Sequence, residues 1–362
     1  MSRYASLARR VSAAREDGLA RRLRVVEPDG PVTARVDGRN VVLFCTNDYL
    51  GLAGHPEVTS AYRGGGAGAS RLISGDRPAH RALEDALSER YGRPATLFNS
   101  GYAANLALAG VLERGDIVAS DAMNHASIID GLRLSPAEKV ILPHGRPEIP
   151  VGARMVIVEG LYSMDGDILD LPKYFGDHWL AVDEAHSVGC IGPEGLGASY
   201  MKGVVPDFVV GTLGKAYGVA GAFIIGPPEL RELLVSFGRS FVYTTGMPEP
   251  VAHAARAALR LANQERREAL AFNARRLRVS LFQLGVRTLG DAHIIPVLTG
   301  EHTMPVAAGL LERGFLVPGI RWPTVSRGAE RLRITVSSEH TTDQLDALGE
   351  AIEAELRAVR EQ

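Results

Sequence analysis

Six short apolar runs constrain the fold of this chain more than any other feature. They are ATLFN (95–99), DIVAS (116–120), MVIVEG (155–160), WLAVDEA (179–185), DFVVGT (207–212) and AFIIG (222–226), and most close on a polar residue or glycine. Their apolarity is continuous rather than alternating, which suits strands buried on both faces. Helical patterns separate several of them, so the expected class is α/β, with a mainly parallel sheet covered on both sides. The helix before the first run is well marked. Leu83, Ala86, Leu87 and Tyr91 share one face, and Gly92 stands where a C-terminal cap belongs.

The flanking segments read differently. Residues 1–24 suggest a basic, solvated packing helix, and residues 32–44 a hairpin turning at Asp37-Gly38. Beyond residue 243 the pattern predicts one long Ala/Arg/Leu helix over 250–284. It continues with a strand (HIIPVL), a helix (MPVAAGLLERG), two strands (LVPGI and RLRITV) and a final helix. That helix opens with a capping box, Thr341 to Gln344, and carries Leu345, Leu348, Ile352, Leu356 and Val359 on one stripe. The expected organisation is an N-terminal arm (1–44) that packs with a small C-terminal α/β domain (244–362), and a large ligand-binding domain (45–243).

Composition narrows the function. With 46% hydrophobic and 23% charged residues the chain can build a core, so a disordered binder is excluded. A net charge of −2 gives no sign of nucleic-acid binding, and no apolar run is long enough to span a bilayer. Two cysteines, Cys45 and Cys190, cannot build a disulfide framework, and the first residues lack the apolar core of a secretory signal. A cytoplasmic enzyme is the expectation.

In open parallel sheets ligands bind beyond the carboxyl ends of the strands. Those ends carry Asn99-Ser100-Gly101-Tyr102, the stretch 159–167, Asp183-Glu184-Ala185-His186 and Thr212-Leu213-Gly214-Lys215. Two of these imitate nucleotide motifs. DEAH at 183–186 looks like a helicase box, and GTLGK looks like a phosphate loop. A phosphate loop needs glycine five residues before Gly214 and Ser or Thr after the lysine. Val209 and Ala216 hold those positions, so an NTPase is a poor alternative. Pyridoxal phosphate chemistry explains the set better. It needs a lysine to hold the cofactor covalently, an acid against the pyridine nitrogen, an anion site and a flat group over the ring. Lys215 and Asp183 supply the first two, His186 could reach the phenolic oxygen, and a helix beginning at Ser100-Gly101-Tyr102 could face the phosphate.

At these residues the sequence resembles the α-oxoamine synthase family of fold-type I pyridoxal phosphate enzymes. The resemblance rests on TNDYLGLAGHP, GASRLISGDRPAHRALE, LFNSGYAAN, NHASIIDG, YSMDGD, VDEAHSVG, GTLGKAYGVAGAF, RSFVYTTGMP, GIRWPTV and ERLRIT. It implies decarboxylative condensation of an amino acid with an acyl-CoA or acyl carrier protein thioester, in a homodimer, without a metal. By the same resemblance Lys215 holds pyridoxal 5'-phosphate, Asp183 pairs with its ring nitrogen, His186 with its phenolic oxygen, and His125 stacks on the ring. Ser100, Gly101, Tyr102, Ser163 and Thr212 add cofactor contacts. Thr244 and Thr245 reach the phosphate from the partner subunit. Asn47 and Arg333 take the amino-acid carboxylate, while Arg21 and Thr324 match substrate positions. Side-chain alternation leaves a plainer reading for Arg333, as a solvent-facing strand residue beside Arg331. His55, His144 and His178 match nothing and read as surface or packing residues. Glu159 and Asp165 read as strand and turn ends. Short segments at 143–155 and before Trp179, together with Trp322 and Gly246-Met247, depart from the family pattern.

Overall fold

In a computed structural model, which describes residues 3–361, all six apolar runs form strands of one seven-stranded sheet. Across the sheet the order is Ala95–Phe98, Ala222–Ile225, Phe208–Thr212, Trp179–Asp183, Met155–Glu159, Ile117–Asp121 and Glu138–Leu142. Ala222–Ile225 alone runs antiparallel to its neighbours. Of the inner strands, Met155–Glu159, Phe208–Thr212 and Ala222–Ile225 are buried at every position, and Ile117–Asp121 and Trp179–Asp183 at all but the first, as the unbroken apolarity predicted. The seventh strand, Glu138–Leu142, escaped the sequence reading. It lies at the sheet edge, mostly uncovered, and so never needed an apolar run.

The helix Pro78–Tyr91 buries Leu83, Leu87 and Tyr91, and Gly92 closes it at φ 67°. The final helix Thr342–Arg360 begins with the expected capping box and buries Leu345, Leu348, Ile352 and Leu356. Each such side chain taken from water contributes roughly 1.5–3 kcal/mol. The hairpin Thr33–Val36/Arg39–Leu43 turns through Asp37 and Gly38, both at positive φ.

Three expectations change. The helix predicted over 250–284 is two, Glu249–Leu261 and Gln264–Gln283. Asn263 breaks it, accepting the Arg266 amide as the N-cap of the second. LVPGI is not one strand. Phe315–Leu316 pairs in parallel with Arg39–Leu43, and Gly319–Ile320 pairs with Arg331–Thr335 in a different sheet. Pro318 between them has no N–H to continue a ladder. The N-terminal helix is shorter than 1–24, covering Ala5–Glu16, and buries no residue against the rest of the chain. Met1 and Ser2 fall outside the described residues. Among the described residues no helix is long and apolar enough to cross a membrane.

The three-stranded sheet of Ile294–Leu298, Arg331–Thr335 and Gly319–Ile320 stands against the loop after Met155–Glu159. Gly166 marks the contact: it has φ 68°, and a Cβ there would lie 2.4 Å from the Ile294 carbonyl oxygen. Only glycine accepts both the turn and the approach.

Candidate active site

Asp183 ends its strand 6% exposed, directly paired with Glu159 of the neighbouring strand. Its Oδ2 accepts from Asn105 Nδ2 at 2.8 Å and its Oδ1 from the Ala185 amide at 2.9 Å. Asn105 also donates to Ser127 Oγ (3.0 Å), and Ser127 Oγ lies 2.8 Å from His125 Nδ1. His125 caps the helix Ala126–Leu134, and its amide donates to Glu159 Oε1 at 2.5 Å. A buried carboxylate, an amide, a hydroxyl and an imidazole thus form one connected network.

Lys215 follows the strand Phe208–Thr212 in a tight turn, where Gly218 N bonds the Lys215 carbonyl. Its Nζ lies 2.8 Å from His186 Nε2, and His186 Nδ1 lies 2.7 Å from the Tyr49 hydroxyl. Burial lowers the Lys215 pKa to about 8, with Asp183 and Glu159 opposing and Arg333 assisting. Burial and the Lys215 charge hold His186 well below the ordinary histidine range. Burial also lowers His125, with Lys215 acting in the same direction. Burial and the charge of Asp183 push Glu159 well above the usual carboxyl range. A buried lysine poised near neutral pH beside a neutral imidazole can accept a proton at Nζ.

The remaining predicted residues fall into clear groups. Ser100 caps the helix Gly101–Ala109, its side chain accepting the Ala103 amide. Among the described residues the Gly101 and Tyr102 amides find no partner. Thr212 is buried, with Oγ1 on the Gly221 carbonyl, and approaches Gly101. Arg333 is 6% exposed, so the solvent-facing reading is overturned. Its Nε donates to the Ser163 carbonyl at 2.5 Å, and its Nη2 lies 3.5 Å from Asn47 Oδ1. Arg331, 4% exposed, is occupied elsewhere: Nη1 bonds Asp165 Oδ1 at 2.6 Å and the Met164 carbonyl at 3.1 Å. Asp165 is therefore more than a turn end. Thr244 and Thr245 lie beside Asn99 of the same chain, whose Nδ2 donates to the Thr245 carbonyl (2.8 Å) and Thr244 Oγ1 (3.3 Å). Arg21 and Thr324 are exposed and share no hydrogen bond with this set.

Sequence reasoning missed Asn105 and Tyr49. Asn105 is a lone amide in the apolar helix start AANLALA, and Tyr49 is the aromatic of NDYLG. It also underread His144, which is not a plain surface residue. His144 bridges Asp121 (2.9 Å) and Asp167 (3.0 Å). His55 caps a short helix, and His178 Nε2 bonds the Tyr174 carbonyl.

These features fit pyridoxal phosphate. The lysine has an imidazole rather than an acid as its hydrogen-bond partner, Asp183 is buried and aligned, and Asn105 Oδ1 is buried without a partner among the described residues. A helix start with two open amides on the same rim suits a phosphate.

Known proteins agree. The sequence profile for aminotransferase class I and II matches residues 39–352. The chain is 44% identical over 359 residues to the 8-amino-7-oxononanoate synthase of Methylococcus capsulatus, covering 91% of this chain and 92% of that one. It is 41% identical to the protein of that name from Thioalkalivibrio sulfidiphilus, covering 95% of each. Among solved structures, Sphingomonas wittichii serine palmitoyltransferase superposes with TM-score 0.91 at 32% identity, over 99% of this chain and 98% of that one. The 8-amino-7-oxononanoate synthase of Francisella tularensis superposes with TM-score 0.77 at 27% identity, over 88% and 99%. With the profile spanning most of its length and the strand-end residues arranged for this cofactor, the chain belongs to the aminotransferase class I and II family, as a fold-type I α-oxoamine synthase that uses pyridoxal 5'-phosphate.

Proposed function

We propose that this enzyme condenses L-alanine with a pimeloyl thioester, of CoA or acyl carrier protein, to give 8-amino-7-oxononanoate, carbon dioxide and the free thiol, a step of biotin synthesis. One observation carries the reading: relatives at 40–44% identity along nearly the whole chain bear that enzyme's name. The geometry supports the chemistry. Pyridoxal phosphate, when bound, supplies an electron-withdrawing ring that stabilises negative charge at the amino acid Cα. Asp183 offers its carboxylate as counter-charge to a protonated ring nitrogen, with Asn105 and the Ala185 amide fixing its direction. Lys215 Nζ takes the Cα proton, which its lowered pKa makes feasible near neutral pH. His125 would stack on the ring of the bound cofactor. Arg333 holds the amino-acid carboxylate with the guanidinium edge that Ser163 leaves free, and Asn47 assists. The Gly101 and Tyr102 amides, with Ser100 and Thr212 beside them, would receive the phosphate, and Ser163 would add a further cofactor contact.

In this reading the chain divides into the arm 1–44, the cofactor domain 45–243 and the small domain 244–362. It works in the cytoplasm, in keeping with two unpaired cysteines. It is a homodimer that completes the site with Thr244 and Thr245 across the interface, while Arg21 and Thr324 meet the acyl substrate. Uncovered apolar residues support the dimer. Ile73 (81%) and Tyr243 (74%) are exposed on or next to segments that pack together, Arg71–Gly75 and Arg239–Val242.

Borohydride reduction of the loaded enzyme should fix the cofactor on the peptide containing Lys215, and fixation on another lysine would refute the assignment. Thiol release from a panel of acyl thioesters against alanine, glycine and serine tests the substrate. A preference for palmitoyl thioester and serine would transfer the reading to serine palmitoyltransferase chemistry. Mixing Lys215→Ala chains with Thr244→Ala/Thr245→Ala chains should restore activity above the average of the parents. No restoration would mean that the threonines serve their own chain, beside Asn99.

A further inference from the structure

Tyr49 is wholly buried, and nothing in the proposed reaction employs it. It sits in the turn that follows the N-terminal hairpin. The strand Arg331–Thr335 and the residues after it hold that turn: Thr335 Oγ1 donates to the Thr46 carbonyl, and Ser338 N to the Tyr49 carbonyl. Its ring packs on His293, with centroids 4.1 Å apart. Its hydroxyl meets two groups, His186 Nδ1 at 2.7 Å and Asn47 Oδ1 at 3.1 Å. On the far side of the imidazole, Nε2 meets Lys215 Nζ at 2.8 Å. Asn47 Oδ1 is also the atom that Arg333 Nη2 approaches at 3.5 Å. One continuous chain therefore runs from Arg333 and Asn47 through Tyr49 and His186 to Lys215.

The hydrogens in this chain are constrained. A phenol has one proton and a neutral imidazole has one, whereas an amide oxygen only accepts. A charged Lys215 can only donate, so it requires a lone pair at His186 Nε2. The proton is then on Nδ1 and is donated to the Tyr49 oxygen, and Tyr49 donates to Asn47 Oδ1. When an acceptor faces Nε2 instead, such as a neutral lysine nitrogen or an anionic oxygen of a bound ligand, the favoured proton is on Nε2. Tyr49 then turns its hydroxyl to donate to Nδ1 and releases Asn47.

We infer that Tyr49 is a positioning residue that serves both tautomers of His186 and so couples the protonation of Lys215 to the hydrogen bonding of Asn47. This deepens the reading in which Lys215 and Asn47 belong to the active site. Lys215 gives up one proton to the solvent or the substrate during the change, and no covalent bond to carbon is involved. The charges that bear on it come from every side: Asp183, Glu159 and Arg333 on Lys215, and Lys215, Arg333, His293 and His125 on His186. Arg333 and Cys190 act on Tyr49.

The test is nitrogen-15 NMR of the full-length protein labelled at histidine, before and after loading with pyridoxal phosphate. Loss of signals in His186→Asn gives the assignment. Without cofactor, His186 should hold its proton on Nδ1 below the Lys215 midpoint, about 8, and on Nε2 above it. In Tyr49→Phe, which keeps the ring packing on His293, Nδ1–H loses its acceptor, so the Lys215 midpoint should fall and the exchange should move to lower pH with it. In Asn47→Ala the hydroxyl is free for Nδ1, which favours the Nε2–H tautomer, so the Lys215 midpoint and the tautomer switch should both move to lower pH. An unchanged tautomer switch in Tyr49→Phe overturns the inference, as does an Asn47→Ala protein that behaves as wild type. A variant that merely loses thermal stability with both signatures intact also overturns it. The readout needs no turnover, so its failure is distinct from failure of the substrate assignment.

Discussion

Two histidines at the carboxyl edge of one sheet experience opposite surroundings. His186 has a lysine on one side and a phenol on the other, and is held well below its ordinary range by burial and by Lys215. His144 lies between Asp121 and Asp167, and those hydrogen-bonded carboxylates raise it to about 10. The same residue type is thus neutral in one place and a structural cation in the other. The two regions should also respond to pH in opposite directions. The folded state holds His144 near 10 against an ordinary 6.5, so its contribution is full below pH 6.5 and is lost as pH rises toward 10. The folded state holds Lys215 near 8 against an ordinary 10.5, so its cost is full below pH 8 and disappears as pH rises toward 10.5.

The most severe way to break this contrast is to remove the depressed lysine. Lys215→Ala should lower kcat by about 10⁴-fold or more, the upper range for a lost acid–base group. Steady-state turnover with alanine checks it, and an effect below tenfold would remove Lys215 from the chemistry. Asp183→Asn should keep the fold, because an amide can replace the carboxylate toward Asn105. Turnover should fall by roughly 10²–10³-fold, the range for one lost preorganised electrostatic contact. Wild-type turnover in that variant would refute the role.

Smaller effects sharpen the contrast within the facing strand. Arg333→Ala should raise the KM for alanine by roughly thirtyfold, about 2 kcal/mol for a lost charge-assisted bond, and leave that for the thioester nearly unchanged. Arg333→Lys should recover only part, since an ammonium lacks the fork. Arg331→Ala should instead lower the melting temperature, because it leaves Asp165 and the Met164 carbonyl without their partner. If Arg331 variants carried the alanine defect, the assignment would be off by one pleat. The mildest change in turnover should come from His144→Gln, within about twofold. Its stability loss should be on the order of 2 kcal/mol near pH 6 and shrink by pH 10. Urea unfolding across that range measures it, and a loss that grows with pH would contradict a His144 held charged by its two carboxylates.

Much of the site was legible because burial on both faces leaves a strand no polar residues except at its ends. Asp183, His186 and Lys215 stand where unbroken apolar runs stop, so their chemistry had few competing explanations. Arg333 lay outside that logic. In RLRIT it alternates with apolar neighbours as a surface residue would, and only the packing of its strand against the loop around Gly166 buries it. Asn105 and Tyr49 were hidden for the same reason, since their partners lie 78 and 137 residues away in sequence.

The sequence by itself determined the six apolar strands, the caps of the helices at Gly92 and Thr341, and the cofactor class, because each depends on local periodicity, backbone preference or a contiguous motif. Tertiary structure decided the rest. The edge strand Glu138–Leu142 exists through one neighbour and needs no apolar signature. LVPGI was divided between two sheets by what lay beside each half. Whether a histidine is neutral or charged, and whether an arginine turns to Asn47 or is tied to Asp165, was set by groups brought together from distant segments. Electrostatic energy and hydrogen bonding depend on distance in space and on exclusion of water, and neither is encoded in the spacing of residues along a chain.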